Sequence, residues 1–405
     1  MPYLLALTLL VSPLYVWRFS VSHVPLNFLL IWVSFLWLIF VICLWREQLG
    51  QKFVSHLKTI DSRLLLLIGL FFLGSCISLF TGGFTQAKLG QFVVLFAQPV
   101  SLFFLASFIS REYPSTQAIF RRTVYFLVAL VGALALIQYF SLTFLPQAYW
   151  GNALEPKRAV GFFGHPDMFG LFLAPLLAWL LSDILRQLDD WRKKNSLIAV
   201  GSWLLGCVGL LLSLSRGAWF GFGAALIVGV IAFGRKKYWF TAGIAIILAV
   251  GIIATVPNLR YRVILPFVGE KSSVARLSLW HTGVKMIRDN PVLGKGLTGF
   301  GSNWYQYNTD SNLEHYNFPH NIILNFWVDT GLLGMLSFLA LLIYGLYYGL
   351  INRRQTYALG LALFLLALTV HGLIDTPYLK NDLAVVFWLI WGISGFRAQQ
   401  TSKSL

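Results

Sequence analysis

The sequence predicts an all-α, polytopic membrane protein with about twelve transmembrane helices and one large loop between the ninth and the tenth. Three observations predict this class. Hydrophobic residues make up 58% of the 405 residues, and the mean hydropathy of +0.72 exceeds that of soluble domains. The apolar residues form continuous runs, without the alternation of a β-barrel strand. Aromatic residues, 16% of the chain, suit the aromatic belts at membrane surfaces.

Apolar runs of spanning length follow one another along the chain. They lie near residues 3–22, 24–45, 63–80, 88–109, 123–144, 166–183, 196–214, 217–233, 238–256, 322–350, 357–374 and 383–397. Pro13, Arg18 and Pro25 interrupt the first two runs. We expect the first run to be a retained span, because it lacks the basic start and the cleavage site of a signal peptide. Residues 1–405 are predicted to form a single membrane-embedded domain.

The distribution of lysine and arginine predicts which side of the membrane is cytoplasmic. Of the 31 basic residues, 18 lie in short segments on one side, namely Arg46, Lys52, Lys58, Arg63, Arg111, Arg121, Arg122, Arg186, Arg192, Lys193, Lys194, Arg235, Lys236, Lys237, Arg353, Arg354, Arg397 and Lys403. Seven of the other 13 lie in the long loop 257–319, and long loops count less. The first set is therefore predicted to be cytoplasmic, with both termini inside and the loop 257–319 outside.

The net charge of +16 does not indicate a nucleic-acid partner. The positive residues are split among short loops, a pattern that favours a topological signal and contact with anionic membrane lipids. Six of the seven histidines lie at or beyond the predicted outer boundary. ATP and nucleotide sugars are scarce outside the inner membrane, so a group-transfer reaction there needs a pre-activated, lipid-linked donor.

The loop 257–319 is long enough to have its own architecture. Residues 272–289 carry an apolar stripe at helical spacing, made of Val274, Leu277, Trp280, Val284 and Ile287. We expect this helix to end at Asn290-Pro291 and to form part of a lid at the membrane interface, or simply to pack on its neighbours. Gly294-x-Gly296-x-x-Gly299 follows a helix and not a strand, so it predicts a hinge or a close-packed turn and not a nucleotide site.

Pro319-His320-Asn321 lies where this loop meets the next apolar run. An imidazole at this boundary can act as a general base near neutral pH. A capping or packing histidine is the structural alternative. Asp375, at the outer end of the eleventh run, could orient a histidine, bind an acceptor sugar or end a helix.

Arg216 lies between two apolar runs with almost no loop, and an arginine so close to hydrocarbon usually has a partner or a task. Guanidinium geometry suits bidentate binding of a diphosphate, whereas snorkelling to lipid phosphate is the alternative. Arg158 and Arg276 are similar candidates. Asp329 lies inside an apolar run and predicts a buried polar partner that the sequence does not identify.

Metal and cofactor motifs are missing from the sequence. Only Asp189 and Asp190 are adjacent acidic residues, they lie in a predicted cytoplasmic loop, and no Asp-x-Asp pair occurs. A divalent cation requires several convergent oxygen ligands. The sequence therefore predicts chemistry without a metal and without a cofactor.

Four stretches together resemble the O-antigen ligase and O-antigen polymerase superfamily of bacterial membrane glycosyltransferases. They are Arg158 through Gly161-Phe162-Phe163-Gly164-His165-Pro166-Asp167, Ser213-Leu214-Ser215-Arg216-Gly217-Ala218, Arg276-x3-Trp280 with Asn290-Pro291-x2-Gly294-x-Gly296, and Pro319-His320-Asn321 leading to Gly331-Leu332-Leu333-Gly334. The layout of twelve runs with a large loop between the ninth and tenth is similar as well. Asp167 is a departure, because the family often has asparagine after this proline.

This resemblance implies transfer of a glycan from undecaprenyl diphosphate, on the periplasmic or outer face of the inner membrane, without metal or nucleotide. His320 would be the catalytic base, and the implied substrate-binding residues are Arg216, Arg276, Arg158, Asn321, Trp280 and Asp375. The expected partners are the lipid-linked donor, a glycan or glycolipid acceptor such as the lipopolysaccharide core, and membrane lipids. A polymerase that joins lipid-linked repeat units remains open, as do a protein glycosylation enzyme and a lipid or glycan transporter.

Overall fold

The computed structural model describes residues 1–21, 24–152, 156–188, 193–234, 271–310 and 313–395, with six isolated residues between 239 and 260. This part of the chain is helical apart from one short hairpin. Its first half contains α1 (Pro2–Val11), α2 (Phe28–Arg46), α3 (Gly50–Leu57), α4 (Ser62–Phe80), α5 (Gln86–Phe92), α6 (Gln98–Glu112), α7 (Thr116–Ser141) and α8 (Pro166–Gln187).

The second half of the described chain is built in the same way. It contains α9 (Lys194–Leu212), α10 (Arg216–Phe233), α11 (Lys271–Asp289), α12 (Gly299–Ser302), α13 (Trp304–Tyr307), α14 (Ile322–Ile351), α15 (Thr356–Gly372) and α16 (Asn381–Ile393). Helix α8 is the central element: it is almost entirely buried and packs against α15, α10 and α9.

Eight described helices are long and apolar enough to cross a membrane: α2, α4, the continuous rod of α5 and α6, α7, α8, α9, α10 and α14. Each coincides with a predicted run, which confirms a polytopic helical membrane protein. The last two predicted runs fall on α15 and α16, which are shorter apolar helices. The predicted run 238–256 lies, apart from isolated residues, outside the described part of the chain.

The first predicted run, 3–22, is wrong as a continuous span. The apolar helix covers only Pro2–Val16, and its last turn, Ser12–Val16, is a 3₁₀ helix. Pro13 lacks the backbone N–H that an α-helix would need there. The chain then turns into an antiparallel hairpin of β1 (Arg18–Val21) and β2 (Val24–Asn27).

A proline shapes the rod that α5 and α6 form. Residues Val93–Ala97 between them are π-helical, and Pro99 has no N–H to bond the carbonyl of Leu95 four residues earlier. The hydroxyl of Tyr378 donates to this carbonyl at 2.8 Å, and the indole of Trp388 donates to the Tyr378 oxygen at 2.9 Å. A fully buried tyrosine from the loop after α15 is thereby anchored in the aromatic core.

Helix α14 breaks at Gly331, whose backbone has φ 70° and ψ −174°. A Cβ at Gly331 would lie 2.5 Å from the carbonyl oxygen of Val292, so only glycine allows this approach. The Leu332 amide donates to Val292 at 2.8 Å, and the Lys295 amide donates to Val328 at 2.7 Å. The glycine-rich string after α11 is therefore a turn packed against a helix break.

The helix predicted over 272–289 is confirmed as α11 (Lys271–Asp289). It packs through Leu279, Met286 and Ile287. Val274, Leu277 and Val284 of the predicted stripe are exposed, so most of the stripe does not face the protein. A place for this stripe at the membrane interface stays a prediction.

Candidate functional site

Residues 373–380, which connect α15 to α16 and are called the 373–380 loop below, bring several predicted site residues together. The Leu373 carbonyl accepts a hydrogen bond from Asn321 Nδ2 at 3.0 Å, and the Ile374 carbonyl accepts one from Arg276 Nε at 3.1 Å. Asp375 Oδ1 lies 3.0 Å from His320 Nδ1. Three consecutive residues of this loop thus hold three side chains that come from distant parts of the sequence.

The conformation of His320 is unusual for a residue with a Cβ. Its φ is 49°, in the left-handed region, which is costly and is often found at functional sites. Trp280 Nε1 donates to the His320 carbonyl at 3.3 Å, and the Tyr316 ring meets the imidazole edge to face at 5.9 Å. These contacts hold the imidazole beside Asp375 of the 373–380 loop.

Asn321 places His320 at the boundary between the preceding loop and helix α14. Its Oδ1 accepts from the amides of Ile323 and Leu324, so Asn321 is the N-cap of α14. Its Nδ2 is bound to Leu373. Both ends of this side chain therefore hold the backbone, and the structure gives Asn321 a positioning role. A contact between Asn321 and substrate stays a prediction.

The contact between His320 and Asp375 fixes the chemistry of the imidazole. A carboxylate only accepts hydrogen bonds, so Nδ1 carries the proton and Nε2 carries the lone pair. The His320 side chain is 31% exposed and that of Asp375 only 8%, so the buried carboxylate supports an accessible ring. This is the arrangement that orients a catalytic histidine in many hydrolases.

The ionisation of Asp375 follows from its neighbours. Burial alone raises the pKa of this carboxyl, but the hydrogen bond from His320 and the charges that His320, His371 and Lys380 carry when protonated lower the pKa well below its ordinary value. The Thr376 amide also donates to Oδ1 at 2.8 Å. Asp375 is therefore a carboxylate at every physiological pH.

Helix α11 brings a guanidinium group to the same place. Arg276 lies one turn before Trp280, which bonds to the His320 carbonyl. The hydrogen bond to Ile374 uses Nε of Arg276, and its two terminal nitrogens have no hydrogen bond or ion pair with the described residues, so they can bind an anion. Arg276 is half-buried, so these nitrogens are partly shielded from water.

Arg216 is the first residue of α10, and the backbone beside it packs against the same loop. A Cβ at Gly217 would lie 2.7 Å from His371 Nε2 and 3.1 Å from the side chain of Ile374. Only glycine lets the start of α10 approach α15 so closely. Arg216 is thereby placed one residue from the contact between α10 and Ile374.

Arg158 is engaged with protein groups. Its Nη2 forms a salt bridge to Asp167 Oδ1 at 2.7 Å, and its Nε donates to the Ser213 carbonyl at 3.0 Å. Asp167 is also hydrogen-bonded to the side chain of Ser215. This pair supports the turn that leads into Arg216. A direct contact between Arg158 and diphosphate stays a prediction.

Lys380 and His371 are members of the site that the sequence reasoning did not single out. Burial lowers the pKa of Lys380, against the opposing effect of Asp375 and Asp382. His371 is buried against Gly217, and its Nδ1 has no hydrogen-bond partner among the described residues. The sequence did contain a signal for Lys380, because a lysine in a short loop is unusual on the predicted outer side, which has few basic residues.

Asp329 lies near the kink of α14, outside this site, and its partners are now defined. Asn325 Nδ2 donates to Asp329 Oδ2 at 2.8 Å, and the Phe300 amide donates to Oδ1 at 3.2 Å. The Asp329 carboxylate therefore caps the start of α12, where unpaired backbone amides favour a negative charge. In the described structure this carboxylate joins the segment before His320 to α14.

Tyr378→Phe is expected to loosen the 373–380 loop. Loss of the hydroxyl leaves the Leu95 carbonyl and the Trp388 indole without their bonds inside the core. A buried group without a partner costs about 1–3 kcal/mol, so the free energy of unfolding should fall by roughly that amount. Denaturant unfolding in detergent would measure it. Tyr347→Phe, on an exposed ring, is the control and should change little.

Comparisons with known proteins agree with these features. Residues 201–339, which include Arg216, Arg276, Trp280 and His320, match the family model described as O-antigen ligase. A Rickettsia conorii protein provisionally named a polysaccharide ligase is 26% identical over 241 residues, covering 56% of this chain and 54% of that protein. An uncharacterized Haemophilus influenzae protein is 21% identical over 180 residues, covering 39% and 45%.

The matches span about half the length of these two curated relatives. The predicted resemblance to the O-antigen ligase-like family is confirmed. The matched region is similar to a family of ligases, and the described part of the chain has eight helices long and apolar enough to cross a membrane. Arg158 and Asp375 lie outside the matched family region, and their place beside it comes from the fold.

Proposed function

We propose that this O-antigen ligase-like chain transfers a glycan from undecaprenyl diphosphate to an acceptor hydroxyl on the outer face of the inner membrane. The single observation that carries the proposal is the hydrogen bond between His320 and the buried Asp375, next to Arg276. An accessible imidazole oriented by a carboxylate is suited to remove a proton from a hydroxyl.

The reaction is a displacement at the anomeric carbon. Nε2 of His320 takes the proton of the acceptor hydroxyl as the acceptor oxygen bonds to the anomeric carbon. The bond from that carbon to the diphosphate oxygen breaks, and the electron pair leaves with the lipid diphosphate. One displacement of this kind inverts the anomeric centre. Asp375 stabilises the imidazolium that forms.

The arginines stabilise the leaving group. Negative charge grows on the diphosphate as the glycosidic bond breaks, and fixed cations at that position lower the barrier. The terminal nitrogens of Arg276 and the guanidinium of Arg216 supply these charges in the proposal. Lys380, whose charge acts on Asp375, adds a further positive charge in the proposal.

Arg216→Lys and Arg276→Lys are each expected to reduce transfer by about 10²- to 10³-fold although the charge is kept. An ammonium group cannot form the bidentate contact of a guanidinium, and loss of one such donor costs on the order of 3 kcal/mol in the transition state. The measurement is the rate of glycan transfer by purified protein in liposomes. Arg122→Lys, at an exposed residue on the predicted cytoplasmic side, is the matched control. Rates within twofold of the wild type for both site variants would remove the arginines from the mechanism.

The acceptor distinguishes ligase from polymerase, since the donor and the dyad are the same for both. Incubation of the purified protein with lipid-linked repeat units alone should give no ladder if the acceptor is another envelope glycan such as the lipopolysaccharide core. Addition of that acceptor should then give one glycosylated product. A ladder in the first reaction identifies a polymerase.

A further inference from the structure

A cavity lies at the end of the bundle away from His320. Its volume is about 890 Å³, and its walls include Ile231 and Phe233 of α10, Leu350 of α14, and Arg186, Arg353 and Arg354. The 30-residue helix α14 begins beside His320 and ends just before Arg353. The cavity is therefore remote from the proposed transfer site, on the face that the basic residues predict to be cytoplasmic.

Arg186 organises the polar wall. Its Nη2 donates to the carbonyls of Arg353 and Arg354 at 3.2 and 2.8 Å, and its guanidinium lies 5.6 Å from the ring centre of Phe233. Its Nε is buried and has no hydrogen-bond partner among the described residues. The backbone of residues 353–354 is thus fixed, while the side chains of Arg353 and Arg354 are exposed.

The charged residues of this wall are all positive in the described part of the chain. No acidic residue lines the cavity in the described part of the chain. The adjoining segments 186–194, 235–237 and 353–354 contain nine basic residues and two acidic ones, Asp189 and Asp190, which lie outside the described residues. The charged residues that line the described cavity, Arg186, Arg353 and Arg354, are all positive, so the cavity attracts an anion.

The opposite wall is apolar and open to the surroundings of the bundle. The side chain of Ile231 is 55% exposed, and Phe233 and Leu350 are half-buried beside it. A ligand that fills both walls needs an anionic head and hydrocarbon chains. Cavities of about 300–1,000 Å³ accommodate small molecules of this size.

We propose that this cavity binds an anionic glycerophospholipid of the cytoplasmic leaflet. Its phosphate lies against Arg186, Arg353 and Arg354, because a guanidinium fork matches phosphate oxygens. Its acyl chains follow the end of α10 past Ile231 into the bilayer. Anionic lipids are concentrated in this leaflet and attract basic groups by about 1 kcal/mol each.

The test measures binding of fluorescent phosphatidylglycerol and phosphatidylcholine to the full-length protein in detergent micelles. Wild-type protein should bind phosphatidylglycerol more tightly than phosphatidylcholine. The double variant Arg353→Gln/Arg354→Gln keeps the backbone carbonyls that Arg186 binds, so it should fold. Its unfolding midpoint in phosphatidylcholine should equal that of the wild type. It should bind phosphatidylglycerol roughly 30-fold more weakly, as two lost contacts predict.

The matched control is Arg46→Gln/Lys58→Gln, which removes two exposed positive charges from the same predicted face. It should stay within about threefold of the wild type. An equal loss of affinity for phosphatidylglycerol in this control would mean that binding depends only on the total positive charge of this face, and it would overturn the proposed site. Equal affinity for the two lipids, or displacement of phosphatidylglycerol by millimolar inorganic phosphate, would overturn the lipid assignment.

Discussion

His320→Ala is expected to abolish glycan transfer. The variant loses the nitrogen that removes the acceptor proton, and general-base catalysis contributes about 10²- to 10⁴-fold to such reactions. The measurement is transfer of a labelled glycan in liposomes by purified protein. His320→Gln is the sharper companion, because its amide can still donate to Asp375 while it offers no basic nitrogen. It should be as inactive as the alanine variant and closer to the wild type in stability.

His281→Ala is the matched control for the base assignment. His281 lies on α11 in the predicted outer loop, its side chain is exposed, and among the described residues no hydrogen bond or ring contact joins it to the 373–380 loop. Its loss should leave transfer within about twofold of the wild type. Near-native transfer by His320→Gln would show that another group takes the proton.

Asp375→Asn is expected to reduce transfer by about 10²- to 10⁴-fold without a comparable change in donor KM. The asparagine amide can donate to Nδ1, which places the histidine proton on Nε2 and removes the lone pair that the reaction needs. Asp375→Glu keeps the carboxylate and should recover part of the activity. Steady-state kinetics of the three proteins measure the effect, and an Asp375→Asn protein with normal kcat would contradict the orientation of His320 by Asp375.

The same carboxylate makes a stability prediction with a defined sign. The pKa of Asp375 is lowered in the folded protein, mainly because the charge and hydrogen bond of His320 outweigh burial. Its stabilisation is therefore complete above the ordinary carboxyl pKa of about 4 and is lost as the pH falls toward the lower folded value. Between pH 8 and pH 5 ionisation of Asp375 should not change the free energy of unfolding.

The fold was largely predictable because lipid imposes long apolar helices. Eight runs and α11 coincide with observed helices. The first run was mistaken because hydropathy does not register the lost N–H of Pro13. The buried face of α11 was missed for a related reason: its helical periodicity is compatible with packing through Leu279 and Met286 as well as through the exposed stripe.

The fold brings several of the predicted site residues together, and the sequence did not show how they pair. Asp375 was recognised as able to orient a histidine, yet His371 is four residues away in the sequence and His320 is 55. Only the fold shows that Asp375 bonds to His320. Likewise, the link between Arg158 and Asp167 needs the positions of α8 and the turn before α10. Tertiary packing sets these distances, and sequence spacing does not report them.

In the proposed mechanism, the imidazole and the guanidinium groups around the 373–380 loop catalyse breakage of the bond between a glycan and a lipid diphosphate. The most direct test follows glycosylated acceptor and free polyprenyl diphosphate in one reaction with purified protein in liposomes. Both products should appear in equal amounts without ATP or nucleotide sugar, and His320→Gln should produce neither. Movement of the intact lipid-linked glycan across the bilayer with no bond broken would contradict this mechanism.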